Sequence, residues 1–292
     1  MKLYSALLFI FFSFYTLSAQ SKYEYFGALK LNGDAKTVIS YRVVFTENKG
    51  KITGYSVTNL GGAHETKNTI IGTYNAKSKS FTFKETDILY TKSTLGPEAF
   101  CFVNFTGNVN LQQTGSKIDG DFKGLFNNKT KCIDGTISLA NLTKIKTTMA
   151  KMDKKVNKSK RIDAETKAKY NAVSIMDSLT INRLSKNQNL NMFVSSDVID
   201  IEIWDNGMED GDKISLFHNN VKILDEYTVS KKVKRISVKL QPKANVFRIE
   251  ALNEGQREFN TSSILLVDKV NPVDLVTTLR KGETASITII KK

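Results

Sequence analysis

The densest group of residues that could do chemistry is acidic. Seven carboxylates lie within 16 residues that contain no Lys or Arg: Asp197, Asp200, Glu202, Asp205, Glu209, Asp210 and Asp212. Ca²⁺ takes several oxygen ligands from carboxylates and carbonyls, and an acidic loop that contains glycine can wrap around it. The spacing is not that of an EF-hand, and Asp and Gly also form ordinary turns. We expect either a solvated turn or a Ca²⁺ site, for which Asp205, Asp210 and Asp212 are the candidate ligands.

Aromatic side chains are concentrated in the first half of the chain. The densest set is Phe81, Phe83, Tyr90, Phe100, Phe102 and Phe105. Core packing explains most aromatic residues, whereas a carbohydrate-binding face or a lipid-lined lumen needs several rings that face a cavity. The candidate ligand-binding residues are Phe100, Phe102, Phe105 and, from an earlier segment, Tyr41.

The chain has two cysteines, Cys101 and Cys132. In an oxidising compartment two Cys of one module are expected to form a disulfide. This disulfide would close a loop of about 30 residues and stabilise the fold by about 3 kcal/mol. Two free buried thiols are the alternative.

Catalytic patterns are weak. The two histidines, His64 and His218, lie far apart in the sequence, and a loop His beside Glu65 is more often structural than catalytic. No nucleophile elbow, zinc-type Cys pair or phosphate-binding loop is present in the sequence. Glu85 and Glu98 could serve as the carboxylate pair of a hydrolase, but nothing around them singles them out.

Half of the net charge of +14 lies in one short segment. Residues 141–170 hold 10 basic and 3 acidic side chains. A solvated face is the first interpretation, and adhesion to a membrane surface is the alternative. A second basic group, Lys231, Lys232, Lys234, Arg235 and Lys239, could pair with the acidic loop, bind an anion or face water.

The N-terminus predicts export. Lys2 precedes an apolar run from Leu3 to Leu17, and small residues follow at Ser18 and Ala19. This is the pattern of a cleaved signal peptide, here residues 1–20, and the run is shorter than a membrane-spanning helix needs. A retained N-terminal anchor is the alternative. Export argues against nucleic acid as a partner and leaves an envelope surface or another protein as partners.

Glycine placement divides the rest of the chain. Thirteen of the 17 Gly lie between Gly27 and Gly135, and residues 136–206 contain neither Gly nor Pro. Such a segment, rich in Lys, Ala and Met, predicts a helical, basic connector over residues 141–190. Its helical stripe is Ile145, Met149, Met152 and Val156, and a second helix is expected from Ala164 to Leu184 with Asp163 as its N-cap.

Residues 21–140 show the period-two pattern of strands. An Ile-x-Gly repeat at Ile52, Ile70, Ile118 and Ile133 places Ile and Gly on the same strand face. Glycine inside strands indicates a sharply bent sheet, so we predict an antiparallel up-and-down barrel, with a two-sheet sandwich as the alternative. The predicted strands are 23–31, 36–47, 51–58, 67–74, 80–92, 99–111, 116–125 and 131–139.

Residues 191–292 also predict strands, and the fold class is therefore all-β. Ile199, Ile201 and Ile203 alternate with polar residues, and Asn219-Asn220 fits a tight turn. Regularly spaced short strands predict a β-sandwich. Besides the stretch around Ile201, the predicted strands are 213–218, 221–229, 233–240, 245–252, 262–268, 273–279 and 285–290.

Two resemblances follow from these patterns. In size and strand count, residues 21–140 resemble a lipocalin-type or calycin-like barrel, which implies a small apolar ligand in the lumen. The C-terminal module resembles a β-sandwich that recurs in exported proteins of Bacteroidota, through Ile249–Gly255, Asn260-Thr261 and the stretch IEIWDNGMEDGDKISL from Ile201 to Leu216. The second resemblance implies a location and no particular chemistry.

The function that fits these features is non-catalytic binding by an exported protein. The barrel would bind a small apolar or glycan ligand, and the sandwich would serve adhesion or assembly. A hydrolase of an envelope polymer that uses barrel carboxylates, and a structural protein that oligomerises through its helical segment, are the alternatives.

Overall fold

The computed structural model describes residues 21–33, 37–169, 180–242, 244–256, 258–268 and 272–292. The predicted signal peptide lies outside these residues. Strands make up most of the described chain. One 3₁₀ turn follows the fifth strand, and two α-helices follow the eighth. The predicted all-β class is confirmed.

The first module is a closed antiparallel barrel. Its strands are β1 (Ser21–Leu31), β2 (Val38–Asn48), β3 (Lys51–Thr58), β4 (Thr66–Tyr74), β5 (Ser80–Thr91), β6 (Phe102–Asn108), β7 (Lys117–Leu125) and β8 (Gly135–Asn141). Each strand pairs with its neighbours in sequence, and β8 returns to pair with β1. This is the predicted eight-stranded up-and-down barrel.

Close approach between neighbouring strands explains the glycines of the Ile-x-Gly repeat. A Cβ added at Gly54 would lie 2.0 Å from the Val44 carbonyl oxygen, and one at Gly72 would lie 1.9 Å from the Thr82 carbonyl oxygen. Both contacts are with backbone, which cannot move aside. Only glycine therefore fits at these two positions.

The barrel interior is filled mainly by aromatic rings. Tyr25, Tyr41, Phe45, Phe81, Phe83 and Phe105 are all fully or almost fully buried. The rings of Phe45 and Phe81 lie 5.2 Å apart, and those of Phe83 and Phe105 lie 5.6 Å apart. Most of the aromatic cluster that the sequence singles out is therefore core.

The predicted disulfide is present between Cys101 and Cys132. It ties the segment before β6 to the segment before β8. The short 3₁₀ helix Pro97–Ala99 precedes Cys101.

The connector begins as predicted and ends earlier. Helix α1 (Leu142–Lys158) is followed by α2 (Ala164–Lys169), and the Asp163 carboxylate accepts a hydrogen bond from the Thr166 N–H at 2.7 Å, as an N-cap does. Residues 170–179 lie outside the described residues. The predicted continuation of the helix to Leu184 is wrong at its end, because Arg183–Ser185 is a strand (β9) whose Leu184 is buried in the sandwich core.

The C-terminal module is a sandwich of two five-stranded sheets. After β9 its strands are β10 (Asn189–Val194), β11 (Val198–Trp204), β12 (Lys213–His218), β13 (Val221–Thr228), β14 (Lys234–Lys239), β15 (Asn245–Ala251), β16 (Asn260–Val267), β17 (Val273–Leu279) and β18 (Thr284–Lys291). One sheet has the order β13-β12-β15-β18-β10 and the other β14-β11-β16-β17-β9. The sandwich prediction is confirmed, and Asn219 and Asn220 form its tight turn with positive φ.

The barrel and the sandwich share one sheet through β5. Two register shifts interrupt the pairing of β5 with β4, and the end of β5 pairs with β4 on one side and with β10, at Tyr90 and Thr91, on the other. Tyr90 packs into the sandwich core. Across the same junction, Lys92 Nζ donates to the Arg183 carbonyl at 2.7 Å and lies 3.4 Å from Glu65 Oε1.

Candidate ligand-binding site at the barrel mouth

A half-open pocket of about 460 Å³ lies at one end of the barrel. Its lining residues come from the ends of β1, β3 and β7, from the starts of β2, β4 and β6, and from the loops beside them. They are Leu29, Leu31, Thr37, Val38, Ile39, Thr58, Asn59, His64, Thr66, Phe100, Cys101, Val103, Phe122 and Ile133. Its volume and apolar lining are those of small-molecule sites.

The pocket exists because the aromatic filling stops partway along the barrel. Phe45, Phe81 and Phe105 lie towards the opposite end, whereas the inward positions near the mouth carry Leu29, Ile39 and Val103, with Phe122 as the buried ring among them. Strand alternation aims these aliphatic side chains inward. These residues were not among the sequence-predicted candidates, which were chosen by residue type. Their alternate positions along each strand would have identified them as inward-facing.

A buried polar layer lies within the barrel beside this aliphatic end. The Glu85 carboxylate accepts hydrogen bonds from the Tyr41 hydroxyl at 2.8 Å, the Ser56 hydroxyl at 2.5 Å and the Val103 N–H at 2.7 Å. Asn68 adds a further side-chain hydrogen bond. Five neighbouring strands are thus joined through one carboxylate.

Burial changes the titration of this layer. Desolvation raises the pKa of Glu85 above its ordinary value of 4.5, although the hydrogen bonds from Ser56, Val103 and Tyr41 oppose the shift. Burial and the neighbouring Glu85 raise the pKa of Tyr41 well above 10.0. Because donors surround Glu85 and it is almost wholly buried, its evident role is to hold the strands together.

The structure places the four aromatic candidates in different environments. Phe100 lines the mouth pocket next to the disulfide. Phe102 is buried and does not line this pocket, and Tyr41 is buried with its hydroxyl on Glu85. Phe105 stacks on Phe83 in the core and borders a separate surface depression of about 620 Å³.

The carboxylates considered for hydrolysis do not meet in a pocket of the described chain. Glu85 is enclosed, whereas Glu98 is exposed on the 3₁₀ turn. His64 lines the mouth pocket, but Glu65 is buried at the barrel–sandwich junction, where it accepts a hydrogen bond from the Tyr90 hydroxyl at 2.9 Å. His64 and Glu65 therefore do not act on a common space.

The remaining candidates lie in the sandwich. Asp205, Asp210 and Asp212 occupy the loop between β11 and β12. Part of the basic group pairs with the acidic segment: Arg235 forms an ion pair with Glu202, and the Lys231 N–H donates to Glu209. His218 stacks on Phe247 with ring centroids 4.6 Å apart.

No protein-family model matches this chain, and no match is found to a curated protein or to a solved structure. Among the described residues, no helix is long and apolar enough to cross a membrane.

Proposed function

We propose that this is an exported, non-catalytic binding protein whose barrel mouth holds a small apolar ligand. The observation that carries the proposal is the half-open pocket of about 460 Å³ with its mainly apolar lining. An apolar ligand would gain about 25 cal/mol for each Å² of apolar surface that it buries there.

The distribution of polar groups suggests the kind of ligand. Thr58, Asn59, His64 and Thr66 come from the adjoining ends of β3 and β4 and the loop between them, and the rest of the lining is apolar except for Thr37. A molecule with an apolar body and one polar end fits this division. A glycan fits less well, because sugar rings need exposed aromatic platforms and Phe100 is the one partly exposed ring of the lining.

Three features of the sequence and the structure support an exported binding protein. The N-terminal pattern supports export, and the disulfide fits an oxidising compartment. The strand count and closure of the barrel support the lipocalin-type resemblance. The sandwich, in its resemblance to an exported bacterial module, would then serve adhesion or assembly.

One observation favours a further role in assembly. Among the residues of α1, only Leu142 is buried, while Ile145, Met149 and Val156 are half-buried and Met152 is about half exposed. A second copy of the chain could cover this stripe. Native mass spectrometry, used below, would detect such a dimer.

The test is binding of an apolar fluorescent probe to the protein from Ser21 onward, together with native mass spectrometry of protein from its own envelope. Val38 lines the mouth and is 57% exposed, so Val38→Asp places a charge at the pocket without disturbing the core. Val221, 67% exposed on β13 of the sandwich, supplies the matched control Val221→Asp.

We expect the wild type and Val221→Asp to bind the probe equally, and Val38→Asp to bind it about tenfold more weakly. The probe can cover only the exposed part of Val38, which is worth about 1 kcal/mol, and an Asp there would add a desolvation cost; together these reach the 1.4 kcal/mol that is tenfold in affinity. Equal binding by both variants would place the probe elsewhere. A bare polypeptide mass together with no probe binding would refute the proposal.

A further inference from the structure

We infer that the loop between β11 and β12 binds one Ca²⁺ ion through Asp210 and Asp212, beside Gly255 and against the start of β16. This site lies in the sandwich and is independent of the barrel mouth.

The first observation is that two buried carboxylates have an oxygen without a hydrogen-bond partner. Asp212 is 1% exposed and Asp205 is 4% exposed. Asp212 Oδ1 and Asp205 Oδ2 are both fully covered, and neither has a hydrogen-bond partner. A buried carboxylate oxygen without a partner is costly, so a native fold that keeps two of them in one loop calls for an explanation.

The rest of each carboxylate is held firmly, which fixes where the free oxygens lie. Asp212 Oδ2 accepts from the Thr261 N–H at 2.7 Å, and Asp205 Oδ1 accepts from the Gly207 N–H at 2.6 Å. Each side chain therefore has one oxygen that orients it and one oxygen that remains available.

The second observation is a convergence of oxygens at Gly255. A Cβ added there would lie 2.8 Å from both Asp210 Oδ1 and Asp212 Oδ1. Two carboxylate oxygens thus face the same point, and the missing side chain of Gly255 leaves it open. Gly255 also has a φ of +57°, so a side chain there would be strained as well as obstructive.

Charge balance points to a cation. None of the three aspartates forms an ion pair with the described residues. A divalent ion would relieve both the desolvation and the mutual repulsion of these carboxylates.

The ligand types fit Ca²⁺ best. No three carboxylate, imidazole or thiol groups in the described ranges converge closely enough to hold a metal by side chains alone. Backbone carbonyls and amide oxygens must therefore complete the shell, which Ca²⁺ accepts in irregular geometry and Mg²⁺ does not. Asn260, whose Oδ1 is also buried without a partner, is positioned at the start of β16 beside Thr261.

The test uses Tb³⁺, which occupies Ca²⁺ sites and emits when a nearby Trp is excited. Trp204 is the single Trp of the chain and directly precedes Asp205. We expect Tb³⁺ emission that Ca²⁺ displaces and Mg²⁺ at the same concentration does not. We also expect 10 mM Ca²⁺ to raise the Tm by about 5–10 °C, if the Kd is about 10⁻⁴ M as in extracellular modules.

Two variants and one control decide the assignment. Asp212→Asn should abolish the Ca²⁺ response and leave the metal-free Tm unchanged or higher, because it removes a buried charge and keeps an acceptor for Thr261. Asp210→Asn, at a half-buried position, is the second test of the site if Asp212→Asn does not fold. It should also weaken the displacement of Tb³⁺ by Ca²⁺. Asp225→Asn, exposed and paired with Lys222, should behave as the wild type. Tb³⁺ emission that Ca²⁺ does not displace, no emission, or an unchanged response in the folded Asp212 and Asp210 variants would overturn the inference.

Discussion

The buried Glu85 layer allows the sharpest test of what holds the barrel together. Its carboxylate is the shared acceptor for Tyr41, Ser56 and Val103, which lie on three other strands. Replacement by Leu keeps the volume and removes both oxygens. Replacement by Gln keeps one acceptor and removes the charge.

The magnitudes follow from the donors that are left behind. In Glu85→Leu four buried donors, including Asn68, lose their acceptor, at about 1–3 kcal/mol each, and relief of the buried charge offsets a large part of this cost. We expect a net loss of about 3–5 kcal/mol. In Glu85→Gln the Tyr41 and Ser56 hydroxyls can turn to accept from the new amide, so the loss should be about 1 kcal/mol.

The assay is chemical denaturation followed by a probe of the barrel. Trp204 reports on the sandwich, so near-ultraviolet dichroism of the buried tyrosines is the signal to use for the barrel. Glu98→Leu, at an exposed position, is the control and should change the free energy of unfolding by less than about 0.5 kcal/mol.

The pH dependence gives a second, independent readout. Because the pKa of Glu85 is raised on folding, the folded state holds this proton more tightly than the unfolded chain does. Its contribution to stability is therefore full below 4.5 and is lost as the pH rises through the folded pKa. The stability of the wild type relative to Glu85→Gln should fall over that window. Equal stability of the Leu and Gln variants would refute the role assigned to this layer. So would a stability difference between the wild type and Glu85→Gln that does not change with pH.

Three further predictions concern other parts of the fold. Replacing Cys101 and Cys132 by Ser should cost about 3–4 kcal/mol and, since Cys101 lines the mouth, should also weaken binding of the apolar probe; equal midpoints and affinities would contradict this. Gly54→Ala should cost about 3 kcal/mol or more in denaturation, because its Cβ would collide with the Val44 carbonyl, and a loss below 1 kcal/mol would show that the strands can separate. Burial lowers the pKa of Lys67, whose amine lies 4.1 Å from the Tyr55 ring centre, so the wild type should gain stability as the pH rises towards 10.5. Lys67→Met should reduce this gain, measured as the change in Tm between pH 7 and 10.

Strand positions are the part of the fold that the sequence predicted well. Three predicted ranges, 51–58, 213–218 and 273–279, coincide with β3, β12 and β17. Each is an alternating segment between turn residues, so the period-two pattern and the flanking turns give the same strand ends. The glycine repeat also predicted the closed barrel correctly, and at Gly54, Gly72 and Gly135 a side chain would meet the backbone of a neighbouring strand.

The junction between the modules was not predictable from these signals. β9 and β10 both lie within residues 136–206, which contain neither Gly nor Pro and whose composition favoured a helix. Each strand nevertheless pairs in parallel with a strand that is distant in the sequence. Such pairing depends on contacts made about 90 residues away. Local propensity gives no information about it.

The candidate sites show why residue type alone misleads in a barrel. A large aromatic side chain buries the most surface, so the inward positions that carry Phe or Tyr are the ones that close the interior. An open pocket needs the opposite, a layer in which inward positions carry smaller aliphatic groups, as Leu29, Ile39 and Val103 do. Parity along each strand identifies the inward residues, but only the stagger between strands says which of them share a layer. The stagger is a property of the closed sheet, and for this reason the mouth became visible only in three dimensions.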